Sequence, residues 1–128
     1  MFTLKQIDDI HNRLGNQDTL VQYLLALNAI GVERSDSYIA DGHSEHIGKG
    51  GEKVVTPPAH EVLTIATTSS RDGLIEHLTR HSQGKTSYTE MSKGLADSGV
   101  AKWSFDTKAL TIVYYDTAGN ELLTEAVG

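Results

Sequence analysis

Asp41, His43 and Glu45 stand at alternate positions inside the stretch Tyr38–Gly51, YIADGHSEHIGKGG, where chemistry-bearing residues and turn signals concentrate. In an extended segment, residues two apart project from one face, so these three side chains would converge. A carboxylate beside an imidazole orients the ring, selects a tautomer and tunes its pKa near neutrality. That makes His43 the candidate acid/base and Asp41 its orienting partner. Tyr38 and Glu45 are candidate ligand-binding neighbours. The same donors suit zinc or another divalent ion. The plainer reading is that Asp41-Gly42 forms a hairpin turn and His43 is an exposed strand residue.

A second group lies further on. His77 and His81 are four apart, the spacing that puts two helical side chains on one face and that metal sites use. The segment reads His77-Leu78-Thr79-Arg80-His81, without the HExxH arrangement. His77 is expected to point to solvent, and His81 to be half-buried and hydrogen-bonded to the Gly84-Lys85 loop. With Lys85 and Tyr88 it forms a candidate polar pocket near a helix start able to hold an anion. Gly48-Lys49-Gly50-Gly51 lacks the GxxxxGK[ST] spacing, and no GxSxG motif or cysteine supplies a nucleophile. Trp103, Phe105, Tyr114 and Tyr115 read as core and sheet packing; Tyr114 or Tyr115 is also placed to cover a ligand groove or a dimer seam. His11 reads as structural, and His60 has no identifiable partner. No motif names a cofactor.

The elements that must position these residues follow from periodicity. Thr3 and Gln6 make a capping box for a helix over residues 3–14. A second helix starts at Gln17 or Asp18, carries Leu20, Val21, Leu24, Leu27 and Ile30, and stops at Gly31. Val32–Ala40 reads as an unusually polar strand, followed by Ser44–Ile47 and Glu52–Thr56. Val62–Ala66 is a strand or a buried crossing segment. Thr68, Ser69 or Ser70 caps a third helix with Leu74, Ile75 and Leu78. Thr86 or Ser87 caps a fourth with Tyr88, Met91 and Leu95, ended by Gly99. Strands Val100–Phe105, Leu110–Tyr115 and Glu121–Val127 close the chain. The class is α+β: two helices then three antiparallel strands, twice. Sliding the chain by 68 residues superposes Ile7 on Ile75, Leu27 on Leu95 and Gly31-Val32 on Gly99-Val100, which suggests sub-repeats 1–60 and 69–128.

The 128 residues suit one domain with a core that needs no staples. With 17 Asp and Glu against 11 Lys and Arg, the net charge of −6 argues against a nucleic-acid or anionic-membrane surface. No apolar run approaches the ~20 residues of a membrane span, and a soluble cytoplasmic protein is expected. Dimerisation through a sheet edge is expected if the polar first strand lies unpaired.

Over nearly its whole length the chain resembles the YdfO/YbcV-like family of small uncharacterised bacterial and prophage proteins, some labelled phage envelope protein. Phe2-Thr3-Leu4, Asp41-Gly42-His43, Gly48-Lys49 and Leu63-Thr64-Ile65 carry the likeness. So do Gln83-Gly84-Lys85-Thr86, Lys102-Trp103 and Tyr114-Tyr115-Asp116. The resemblance implies an α+β fold and supplies no activity, cofactor or partner. One position departs from it: an aromatic residue is usual where this chain has His46. The function expected is a small binding or regulatory module for a protein or small-molecule partner in prophage or host accessory biology. The alternative is an enzyme with His43 as acid/base and an anionic substrate beside His81, Lys85 and Tyr88.

Overall fold

The computed structural model describes residues 2–15 and 19–127. Helix α1, Leu4–Leu14, starts at the expected capping box: the Gln6 N–H donates to Thr3 Oγ1 (3.3 Å) and the Thr3 N–H to Gln6 Oε1 (2.8 Å). Helix α2, Leu20–Ala29, turns Tyr23, Leu24 and Leu27 inward. Its expected start at Gln17 or Asp18 lies outside the described residues. Phe2, Ile7, Ile10 and Val32 join that face in a first apolar core.

Helix α3, Arg71–Ser82, is capped by the Ser70 hydroxyl, which accepts from the Gly73 N–H (3.0 Å). Helix α4, Tyr88–Asp97, begins at a second capping box, Ser87 with Glu90. Gly99 ends that helix at φ +80, and a Cβ there would fall 2.7 Å from Ser69 Cα. Leu74, Met91, Leu95, Ala96, Val100 and Ile39 form a second core. Leu63 and Ile65 pack against it from an extended crossing segment that joins no sheet, although Val62–Ala66 is β-rich in composition. Its N–H groups are satisfied one at a time, Leu63 to the Ala40 carbonyl and Ala66 to the Ala96 carbonyl.

The six strands are β1 Val32–Tyr38, β2 Ser44–Gly48, β3 Lys53–Val55, β4 Val100–Asp106, β5 Thr111–Asp116 and β6 Glu121–Ala126. They form one antiparallel sheet in the order β3-β2-β1-β4-β5-β6. The polar β1 is therefore central, paired on both sides, and the expected reason for edge dimerisation disappears. Such a strand can sit inside a sheet because its buried polar groups find partners. Ser35 Oγ lies 2.7 Å from His46 Nδ1, and the Ser104 hydroxyl donates to Asp36 Oδ1 at 2.6 Å.

Strand parity gives the two faces different jobs. Ser35, Ser37, Ser44, His46, Trp103, Phe105, Ile112 and Tyr114 face the helices. Arg34, Asp36, Tyr38, Glu45, Lys102 and Tyr115 face the opposite way. Both helix pairs rest on the first face, one over each core, and leave a gap between them.

Candidate functional site

That gap is a cleft of about 1200 Å³, at the upper end of or beyond the ~300–1,000 Å³ usual for small-molecule sites. Its floor is Ser35, Ser37, Ser44 and His46 from β1 and β2, with Trp103 and Phe105 from β4. One wall is Ile7, Asp8, His11 and Tyr23 of the first helix pair. The other is Leu78, His81, Tyr88 and Met91 of the second, and the segment Thr56–Ala59 borders it.

His46 is the floor's central polar group. It is 4% exposed, and burial, reinforced by the nearby His11, lowers its pKa to about 4, so it is neutral at physiological pH. If Ser35 donates to Nδ1, the proton of the neutral ring sits on Nε2, which has no partner among the described residues. Tyr23 stands edge-on to His11 at 5.9 Å, and burial with the Asp8 carboxylate pushes its phenol up to about 12. Trp103 packs edge-to-face on Tyr114 at 6.3 Å. Its indole Nε1–H is shut off from solvent and has no partner among the described residues.

Of the candidate ligand-binding residues from the sequence, His81 and Tyr88 line this cleft, and of those read as structural or packing residues, His11, Trp103, Phe105 and Tyr114 do. His81 Nδ1 lies 3.0 Å from the Thr86 carbonyl, one residue beyond the expected loop. Tyr88 is 42% exposed; partial burial and the Asp41 carboxylate raise its phenol pKa. Lys85 is exposed and does not line the cleft. His77 does not point to solvent: its ring lies against Gly94 of α4, in the space a side chain would fill. The two helix-α3 histidines thus have separate partners. Among the described residues, no group of three or more His, Asp or Glu side chains is arranged to hold a metal.

Asp41, His43, Glu45 and Tyr38 do come together, on the other side of the sheet. The His43 ring stacks on Tyr38 with centroids 4.5 Å apart and planes 4° from parallel. Its Nδ1 meets Asp41 Oδ1 at 2.5 Å and its Nε2 meets Glu45 Oε2 at 3.4 Å, while Lys53 Nζ holds the other Glu45 oxygen at 3.1 Å. The Asp41 hydrogen bond first, and the Glu45 carboxylate after it, raise the His43 pKa. His43 hydrogen bonds hold Asp41 low, and Lys53 followed by His43 does the same for Glu45. Backbone bonds complete the turn: Asp41 Oδ1 also accepts the His43 N–H (3.0 Å), and Gly42 adopts φ +77. A Cβ on Gly42 would lie 2.9 Å from both Ala59 and His60. Beside this network Lys102 Nζ sits 5.8 Å from the Tyr38 ring and 5.3 Å from the Tyr115 ring, and 3.8 Å from the buried Asp36.

The turn and the helix junction are joined through backbone and connector, and through the Asp41 carboxylate acting on the Tyr88 phenol. Gly42 borders the cleft, and His60 lies between it and Tyr88, 6.1 Å from the Tyr88 ring. The His43 ring does not line the cleft. Sequence reasoning gave no site role to Ser35 or Tyr23, noted His46 only as a departure from the family pattern, and read Trp103 as packing. The signal for them was parity: Ser35 and Ser37 alternate with Asp36 and Tyr38, and Ser44 and His46 with Glu45, so two polar sets had to face apart.

A search of the curated proteins finds no match. A family model matches residues 8–126, nearly the whole chain, and the protein belongs to that family, described as Protein of unknown function (DUF1398).

Proposed function

We propose that this protein is a small-molecule binding module whose ligand lies in the cleft between its two helix pairs, with His81 and Tyr88 on one wall and His46 on the floor. The observation that carries the reading is the cleft itself: a large concavity lined by aromatic rings and a few unpaired polar groups, over a sheet that fixes their spacing. Asp41, His43, Glu45 and Tyr38 then serve as the lock of the β1–β2 turn, where both imidazole nitrogens are already engaged by carboxylates. No helix of the described residues is long and apolar enough to cross a membrane, which fits action in the cytoplasm as a single domain. The YdfO/YbcV-like resemblance favours a role in prophage or host accessory biology.

A duplication of an ααβββ unit is part of the same proposal. The element order repeats, and the 68-residue offset (104 − 36 = 68) relates Asp36 to Ser104, which are register partners across β1 and β4. A cleft on the axis between two related halves is a natural place for a ligand to touch both.

The test is a thermal melt against a panel of divalent metals, nucleotides, anionic metabolites and uncharged aromatic compounds. A compound at a hundredfold its Kd should add ~2.7 kcal/mol, several degrees in Tm. The shift should shrink in Tyr88→Ala and His81→Ala and persist in Lys102→Ala. A shift abolished by His43→Ala or Lys102→Ala but kept in the cleft variants would put the site on the opposite face.

A further inference from the structure

We propose that the cleft takes an uncharged planar aromatic molecule carrying a hydrogen-bond acceptor, of which an aromatic amide is the simplest form; the assignment rests on the cleft being the binding site.

Shape and chemistry of the lining give the aromatic part. Tyr23, Trp103, Phe105, Tyr114 and Tyr88 contribute rings from both walls and the floor. Their faces and edges suit offset or edge-to-face packing against a flat ligand. Charge excludes the other classes. Among the described residues lining the cleft there is no Lys or Arg; apart from tyrosine phenols, the ionisable side chains are Asp8 and the histidines His11, His46 and His81. An anion would enter a chain of net charge −6, meet Asp8, and find no permanent cation to pair with. Burial, with Asp8 beside Tyr23 and Glu125 beside Tyr114, raises both phenol pKa values, the direction expected where negative charge is disfavoured. A cation fares little better at the floor. Burial keeps the His46 imidazole itself neutral, and a charge placed beside it meets the same desolvation penalty.

Two donors give the acceptor. His46 lines the cleft and, with Ser35 as donor to Nδ1, would carry a free Nε2–H; the Trp103 Nε1–H is desolvated without a partner. An unpaired buried donor is an energetic liability, and a ligand oxygen brought against the indole edge would relieve it.

Calorimetry with the full chain at neutral pH would use three probes of one shape: naphthylacetamide, naphthylacetate and naphthylethylamine. The amide should bind at least about tenfold more tightly than the acetate, and more tightly than the amine. Trp103→Phe should weaken the amide about tenfold while leaving methylnaphthalene, which has no acceptor, unchanged. Equal weakening of both would show that the indole supplies shape rather than a hydrogen bond, and would overturn the acceptor assignment. An acetate preference would overturn the uncharged class and keep the cleft. An amine preference would replace it with a cation held at Asp8. If no naphthyl probe binds but a melt-panel compound does, in a manner sensitive to Tyr88→Ala, the class is wrong and the cleft reading stands. If nothing in either experiment binds, both fall.

Discussion

Two histidines of the β1–β2 hairpin, three positions apart, sit on opposite faces of the sheet and are driven in opposite directions. His43 has its charged form supported by Asp41 and Glu45, so its folded pKa lies above the ordinary value of 6.5. Its contribution to stability is complete below that value and is lost as pH rises through the folded pKa. An NMR titration should find His43 above 6.5 in the native protein and return it toward 6.5 in Asp41→Asn, with a smaller fall in Glu45→Gln. His46 is the reverse case. Its folded pKa of about 4 lies below the unfolded 6.5, so its contribution is complete above 6.5 and is lost as pH falls from there through 4. That loss is on the order of 3 kcal/mol. Asp41 and Glu45, with lowered pKa values, add to the same acid limb below the ordinary carboxylate range. Denaturant unfolding between pH 7 and 4 should therefore show a steep fall that His46→Phe flattens. An unchanged acid limb in that variant would mean His46 is not held neutral by its burial. The His43 constellation was legible because Asp41, His43 and Glu45 are adjacent in sequence. His46 was not, because its partner Ser35 and its neighbour His11 come from other elements.

At the scale of elements, the helix signals translated directly. Thr3/Gln6 became a capping box, Ser70 and Ser87 became the caps among their alternatives, and Gly31 and Gly99 took the positive φ their positions required. Capping is local chemistry, written within four residues. What those signals lack is the partner of each exposed-looking face. His77 shows this: its place off the Leu74/Leu78 stripe pointed it to solvent, whereas it fills the space over Gly94 where α3 meets α4. Gly94→Ala should then lower Tm by several degrees. Crowding the ring costs about 1–3 kcal/mol, against ~1 kcal/mol gained from replacing a helical glycine. Gly94→Ala with His77→Ala should recover most of the loss. A single variant more stable than the native protein, with no further gain on adding His77→Ala, would show that the ring does not occupy that space. Gly99→Ala has no such rescue, because its Cβ would strike backbone at Ser69 rather than a movable side chain.

The whole molecule is organised by its sheet. Six strands carry two separate apolar cores on one face, and each core is capped by its own helix pair. The six strands and four helices were readable from periodicity, but the strand order was not, since it depends on β1 pairing with β4 across more than sixty residues. That central pairing removes the polar first strand from the edge and makes it the cleft floor. It also explains why the sequence drew attention to Asp41–Glu45 rather than to the cleft. The turn's residues cluster in the chain, while the cleft is assembled from residues scattered between Ile7 and Tyr114 that only the tertiary fold brings together.

The most direct measurement is chemical-shift mapping of the isotope-labelled protein with naphthylacetamide. The account predicts perturbations at Ser35, Ser37, Ser44, His46, Tyr88 and the Trp103 indole N–H, with Tyr38, His43, Lys102 and Tyr115 unmoved. Since Trp103 is the only tryptophan, its indole signal needs no assignment. Perturbations confined to Tyr38, His43, Lys102 and Tyr115 would contradict the account and place the binding surface on the sheet's other face.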